Sequence, residues 1–566
     1  MKNKLNSQSI GQGIPCWCAA GWRPRGWITQ LAIMKSKFDS MSLAALTAVL
    51  LFSLPLVASA QTLINGANQT GTITNKEVDS YTFTANAGDN INLRLGSTGF
   101  FGYLRLYGPD GALLTTAGAN QYDQFIAYTA TNSGTFTVLV SSWDSGGTGT
   151  YALHLAQMPE PFIVPAGDEG GAMTNGGDYS GNITIGDLDM YSFTANAGDS
   201  INLRLGTTGF FAYLELYGPN GALLSAAGAN NYDRLIAYTA TNSGTFTVLV
   251  SSWDSGGTGT YALHLAQMPE PFIVPAGDEG GPMTNGGDYS GNITIGDMDM
   301  WSFTANAGDS INLRLGSTGF FGYLELYGPN GALLSAAGGN EYDHLIAYTA
   351  TNSGTFTALV SSWGNGGTGT YALHLAQMPE PFILPTGDEG GAMTGSAHYA
   401  GTITLSDMDI WAFTACTGDA INLTLNTTNF FAWLELYGPN GALLRSAGGN
   451  EYGQSITYTA TNCGTFTVLV SSWGNGGTGT YGLTANGLSY ELRECLPKIS
   501  GANLTVNGVG GPTNAVFVLY TTTNVATPFG LWTPVLTNQF DQFGVFSYTN
   551  TYNPTQRQQF FRFVVP

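Results

Sequence analysis

Four carboxylates recur in one pattern along this chain. Asp168 and Glu169 stand together, and Asp187 and Asp189 follow with one residue between them. The set returns as Asp278, Glu279, Asp297 and Asp299, and again as Asp388, Glu389, Asp407 and Asp409. Hard oxygen ligands from two neighbouring segments suit calcium. An aspartate at a bend also does a plainer job, accepting bonds from nearby backbone N–H groups. No EF-hand loop is present, so the pattern admits either reading.

Aromatic residues form a second set. Phe211, Tyr213 and Tyr217 alternate along one stretch, and Trp253 sits in a Gly-rich loop. Their copies are Phe321, Tyr323, Tyr327 and Trp363, then Phe431, Trp433, Tyr437 and Trp473. On one outward strand face such a stripe can stack on sugar rings or pack on a protein partner. The alternative is a stripe covered by a loop or by the next repeat.

Nucleophilic and metallohydrolase chemistry find no support. There is no G-x-S-x-G and no H-E-x-x-H, and no cysteine–histidine pairing suited to catalysis. His154, His264 and His374 alternate with apolar residues in YALHLAQ, which predicts that they face solvent. The expectation is a protein that is not an enzyme. Cys416 and Cys463 replace an Asn and a Ser found at the matching places of the other copies. Two substitutions in one copy predict a Cys416–Cys463 disulfide, leaving Cys495 over.

These residues ride on a repeat. INLRLGTTGFFAYLELYGPNGALL begins at Ile201, with versions starting at Ile91, Ile311 and Ile421, 110 residues apart. That period suits a small domain rather than one solenoid turn. Within the second copy, eight short apolar-alternating runs are separated by NAGD, GPNG, NSG and SGG turn signals. With no helical period, they predict an all-β chain of tandem jelly-roll-like antiparallel β-sandwiches. Phe246, Val248 and Val250 share an inward face, as do Leu214 and Leu216. Glu215 points outward and is Arg105 in the first copy, which predicts a solvated position. Repeats are expected at 61–158, 166–268, 276–378 and 386–488, with a small β module at 496–566. The proline-containing QMPEPF linkers predict extended, semi-rigid spacers.

Residues 1–60 contain a basic, then apolar, then Ala-Ser-Ala pattern, which predicts an N-terminal extension with a signal peptide and a bacterial secreted or cell-surface protein. Without them the chain holds 11 Lys and Arg against 37 Asp and Glu, a net charge of −26. Such acidity excludes nucleic acid as the expected partner. No membrane span is expected after cleavage.

The ordered signals carry a resemblance. They are Asp187-x-Asp189-x-Tyr191-x-Phe193 with Ala197-Gly198-Asp199, then Leu214-x-Leu216-Tyr217-x-Pro219-x-Gly221. Ser243-Gly244-Thr245-Phe246 and Gly257-Thr258-Gly259-Thr260-Tyr261 complete them. The set resembles the bacterial pre-peptidase C-terminal domain family in four tandem copies, the first weaker at its start. It is similar also to the collagen-binding β-sandwich domains of clostridial collagenases. The resemblance implies jelly-roll-like sandwiches attached to secreted bacterial proteins, often proteases, some binding calcium. This chain departs from that setting, since no protease domain accompanies the copies. The expected function is therefore non-catalytic binding or adhesion to extracellular polysaccharide or matrix protein. The alternatives are a passive surface spacer and an accessory subunit of a secreted hydrolase.

Overall fold

A computed structural model describes residues 60–566 apart from 145, 365, 394, 475, 489–491, 496 and 557. The expected signal segment lies outside the described residues. Each repeat is a two-sheet sandwich. In repeat one the strands are β1 (Gln61–Thr62), β2 (Asn68–Ile73), β3 (Val78–Ala85), β4 (Asn90–Thr98) and β5 (Gly102–Tyr107). They continue as β6 (Leu113–Gly118), β7 (Asp123–Thr129), β8 (Gly134–Ser142) and β9 (Gly149–Met158). One sheet runs β1-β3-β8-β5-β6 and the other β2-β9-β4-β7, an order kept in all four repeats. Among the described residues there is no α-helix.

Alternation places the core as expected. Leu214, Leu216, Phe246, Val248 and Val250 are all buried between the sheets of repeat two, with Phe193 stacked on Phe246. Each repeat has nine strands, not eight. The extra one in repeat two is Gly170–Ala172, which pairs parallel with Asp189–Ala195. It carries no apolar alternation to read. Gly170 has φ 137°, and a Cβ there would meet Met190 O at 2.4 Å, so only glycine fits.

The linkers do not hold the repeats apart. Consecutive repeats touch directly, through the same contacts at each of three junctions. At the first, Ala156 and Met158 of repeat one pack on Leu188, Met190, Tyr217 and Leu249 of repeat two, with Phe162 of the linker against them. The copies are built around Met268 with Tyr327 and Met378 with Tyr437.

These junctions correct several expectations. Glu215, Glu325 and Glu435 are buried, at 4%, 6% and 5% exposure, because the preceding repeat covers the outer face of their sheet. His154, His264 and His374 are also buried. Their outer face meets the following repeat, where His264 Nδ1 lies 3.8 Å from Asp297 Oδ1. The facing inferred from alternation holds, but facing outward does not mean facing water.

The last module has two small sheets. One joins Arg493–Glu494, Lys498–Ser500, Asn503–Val509 and Phe546–Thr551; the other joins Val516–Thr522, Thr533–Gln539 and Phe560–Val564. Phe517, Leu519, Phe540 and Phe546 form its core.

Candidate functional site

The carboxylates converge because of the parallel strand. Asp168 and Glu169 immediately precede Gly170–Ala172, and Gly170 lies opposite Met190, next to Asp189. Oxygens of Asp168, Glu169 and Asp189 lie within 4.8 Å of one another, as do those of Asp278, Glu279 and Asp299. In repeat four the trio is Asp388, Asp407 and Asp409, and Glu389 stands outside it. Asp187 is not in its trio. Its Oδ2 accepts Thr184 N at 3.0 Å and its Oδ1 accepts Leu188 N at 3.1 Å, the turn role. Asp297 likewise accepts Thr294 N at 2.9 Å.

Asp189 is 1% exposed. Its Oδ2 accepts Tyr261 OH at 2.6 Å, and its Oδ1 has no partner, as is true of Asp299 Oδ1. Burial, then the neighbouring Asp187 charge, pushes Asp189 up to about 9. The same causes push Asp299 and Asp409 up to about 9, and burial with nearby acids pushes Asp168 up to about 6. A buried, unpartnered carboxylate oxygen facing further carboxylates is costly without a proton or a cation. The donor set is all oxygen and suits calcium.

The aromatic stripe divides. Tyr217, Tyr327 and Tyr437 are buried in the junctions, at 3%, 3% and 2% exposure. Tyr217 OH accepts Asn92 Nδ2 of repeat one at 2.8 Å and donates to Glu215 Oε1 at 3.2 Å. These three tyrosines are thus withdrawn from any ligand face by the repeat that covers them. Phe211 packs on Tyr232, Phe321 on Tyr342 and Phe431 on Tyr452. Tyr213 packs edge-on to Trp253 at 5.3 Å, Tyr323 to Trp363 at 5.1 Å, and Trp433 lies tilted against Trp473 at 4.6 Å. Trp253, Trp363 and Trp473 remain 48%, 48% and 41% exposed.

Each described groove over these rings is composite. One of about 400 Å³ joins Gln121, Gln124 and Phe125 of repeat one to Tyr213, Trp253 and Asp254 of repeat two. Another of about 390 Å³ joins Arg314, Asp343 and Leu345 of repeat three to Trp433 and Trp473 of repeat four. Arg314 Nη1 has no partner in the protein.

Sequence reasoning missed the clasp beneath these grooves. Arg204 and Asp233, both buried, pair at 2.8 Å. Arg204 also donates to Ser362 O at 2.9 Å, and Asp233 Oδ2 accepts Gly366 N at 2.9 Å, both in repeat three. Arg314 and Asp343 do the same at the next junction, Arg314 donating to Ser472 O and Asp343 Oδ2 accepting Gly476 N, and at the first junction Asp123 Oδ2, paired with Arg94, accepts Gly256 N. The legible signal was a joint departure: repeat four has Thr424 and Gly453 at these two places.

No S–S bond joins the described cysteines in this structure, the expected Cys416–Cys463 pair included, and the sulfurs of Cys416, Cys463 and Cys495 lie within 4.8 Å of one another. Cys463 Sγ accepts Thr417 N at 3.3 Å, whereas Cys416 Sγ lies 2.9 Å from Cys495 Sγ.

Fold and junctions define a tandem array of β-sandwiches. Residues 77–142, 187–252 and 297–362 match the family described as bacterial pre-peptidase C-terminal domain, so these repeats are domains of that family. Repeat four keeps the same strand order. No characterised protein sequence matches the chain significantly. Among solved structures, the pre-peptidase C-terminal domain of collagenase from Bacillus anthracis is similar at 16% identity and TM-score 0.16, over 18% of this chain and 96% of that one. The BSP domain of a biofilm-associated protein is similar at 10% identity and TM-score 0.14, over 75% and 97%. Tripeptidyl peptidase 2 is similar at 9% identity and TM-score 0.14, over 88% of this chain and 36% of that one. Among the described residues, no helix is long and apolar enough to cross a membrane.

Proposed function

We propose that this chain is a secreted, non-catalytic binding array that holds an extracellular polysaccharide in the grooves between its repeats. The observation carrying this reading is the exposed tryptophan paired with a second aromatic in each of repeats two to four, lying in two described grooves beside polar groups of the repeat before, Gln121 and Gln124 in one and Arg314 and Asp343 in the other. Rings of this kind stack on sugars, and the flanking polar groups hydrogen-bond hydroxyls. Weak sites repeated along one chain reinforce one another through avidity. Calcium is proposed at Asp168, Glu169 and Asp189 and at the corresponding trios, where it would supply the positive charge that the buried carboxylates lack.

The test is retention of the full chain on insoluble polysaccharides and, separately, on collagen. Replacing Trp253, Trp363 and Trp473 by alanine lowers polysaccharide retention by on the order of a hundredfold if the grooves bind. Retention unchanged in the triple variant overturns the groove reading. A second reading is a structural spacer, favoured by the burial of Tyr217, Tyr327 and Tyr437 between repeats. Absence of retention on every matrix supports it.

A further inference from the structure

The chain leaves repeats one to three through the same fastening. Asn86 donates to Glu160 Oε1 at 3.0 Å, Asn196 to Glu270 at 2.9 Å and Asn306 to Glu380 at 2.8 Å. Beside each, a glutamine of the departing strand bonds a buried aspartate, as Gln157 Nε2 does to Asp89 Oδ2 at 2.8 Å. A serine completes the arrangement: Ser133 Oγ accepts Ala87 N at 2.8 Å.

Repeat four keeps the geometry and changes the chemistry. Arg493 Nη2 bonds Asp419 Oδ2 at 2.8 Å, in place of the glutamine–aspartate bond. Cys463 stands where the serine stands and accepts the same backbone N–H, from Thr417. Cys416 stands where the asparagine stands, and the group that meets it on the departing chain is Cys495. Cys495 belongs to the last module: its N–H bonds Asn507 O at 2.8 Å, Arg493 two residues before it pairs with Val509, and Cys416, Cys495 and Val509 share one buried cluster.

We propose that Cys416 and Cys495 form a disulfide that staples the C-terminal module to repeat four, with Cys463 remaining a thiol. The bond takes over the fastening made by asparagine and glutamate elsewhere. Two thiolates sharing a zinc ion at about 2.3 Å each stand about 3.8 Å apart. The 2.9 Å contact is closer than that and favours a direct bond. Bond formation needs an external disulfide as oxidant. The Cys416 thiolate attacks it and releases one thiol; Cys495 then loses its proton, displaces the second thiol from Cys416 and closes the S–S bond. Two protein thiols are oxidised and one external disulfide is reduced to two thiols. The contact with Cys495 and the Arg493 charge hold Cys416 down at about 7 against burial, which favours it as the attacking sulfur.

Cleavage after Arg445 and Arg493 puts each cysteine on its own peptide. The test is tryptic mass mapping, without reduction, of the full chain refolded with oxidised and reduced glutathione, its free thiols alkylated first. The expected result is a cross-linked Cys416–Cys495 peptide pair with Cys463 alkylated. A Cys416–Cys463 pair, three alkylated cysteines, or a retained metal ion with all three sulfurs unbonded overturns the proposal. Two variants add a readout on the staple itself. Cys463→Ser keeps the linked pair. Cys495→Ser releases the C-terminal fragment on the order of tenfold faster in limited proteolysis, through local opening. Equal release from both variants also overturns the proposal.

Discussion

The nine letters GTFTVLVSS occur at Gly134–Ser142 and at Gly244–Ser252, and the two strands live in different surroundings. In repeat one, outward Thr137 and Leu139 are only half-buried; in repeat two every residue from Phe246 to Ser252 is buried. The difference is the neighbour. Repeat two presents its outer sheet face to repeat one, and repeat one has no sandwich before it among the described residues. Other positions of that face follow suit. Leu188, Met190 and Glu215 of repeat two are Val78, Ser80 and Arg105 in repeat one, and Tyr107 is half-buried where Tyr217 is buried. At the far end, Arg94, Asp123 and His154 become Thr424, Gly453 and Thr484. Both ends of the array thus lose docking groups that the interior faces keep, as terminal units of repeat proteins do.

The largest effect expected from breaking this comparison is at the clasp. Asp233→Ala leaves Arg204 buried without its carboxylate, which costs about 3–5 kcal/mol. Calorimetry should show a new low-temperature transition, and proteolysis should enter the linker after repeat two. The pair Arg204→Thr with Asp233→Gly copies the residues of repeat four and should open the same junction with less damage to the sandwich. Next comes the apolar contact. Met190→Ser gives repeat two the residue of repeat one and should cost about 2–4 kcal/mol. Ser80→Met in repeat one should leave stability unchanged within about 0.5 kcal/mol, since it gains no partner. Equal effects at the two positions would show that the junction does not persist in solution.

What could be read in the sequence follows the reach of each signal. Alternation is a property of one strand, so Leu214, Leu216, Phe246, Val248 and Val250 were legible as core. Whether Glu215 meets water depends on a second repeat, and no local pattern carries that. Its exchange for Arg105 looked like surface tolerance and in fact marks an end of the array. The carboxylate trios were legible in type, because Asp168, Glu169 and Asp189 recur as a set. Asp187 recurs equally well for a turn, and its counterpart Asp407 in repeat four fills both roles, accepting Thr404 N at 3.0 Å while standing in the trio. Cys495 has no counterpart in the repeat, so its place opposite Cys416 was invisible to comparison among copies.

The carboxylate trios sharpen the comparison further, since repeat one has Glu77 and Asp79 but no Asp–Glu pair before its first strand. Folded-state values near 9 at Asp189, Asp299 and Asp409 lie above the ordinary carboxylate value. The stability these groups contribute is present below about pH 4 and is lost as pH rises toward 9. A divalent cation replaces the proton, so calcium should raise the melting temperature strongly at pH 8 and little at pH 5. At about a hundred times the dissociation constant one site gains about 2.7 kcal/mol. Chelator should reverse the shift, and Asp189→Asn should remove the share of repeat two. A calcium effect that does not depend on pH would place the ion elsewhere.

The smallest effect tests whether the outer face is closed in solution. Burial raises Glu215 above the usual carboxylate range, while the Tyr217 and Tyr213 hydroxyls and Arg94 pull it back. Stability from a raised carboxylate is present below its unfolded value and lost as pH climbs through the folded one. Glu215→Gln stays neutral throughout. It should match the native chain near pH 4 and exceed it by less than about 1 kcal/mol at pH 8. Arg105→Gln, at the same place in repeat one, should show no such drift, because arginine keeps its charge across this range. The drift therefore belongs to a junction that shuts water out. If the two variants behave alike, Glu215 is hydrated and the repeats part in solution. If only Glu215→Gln drifts, identical strands are buried differently because one of them has a neighbour.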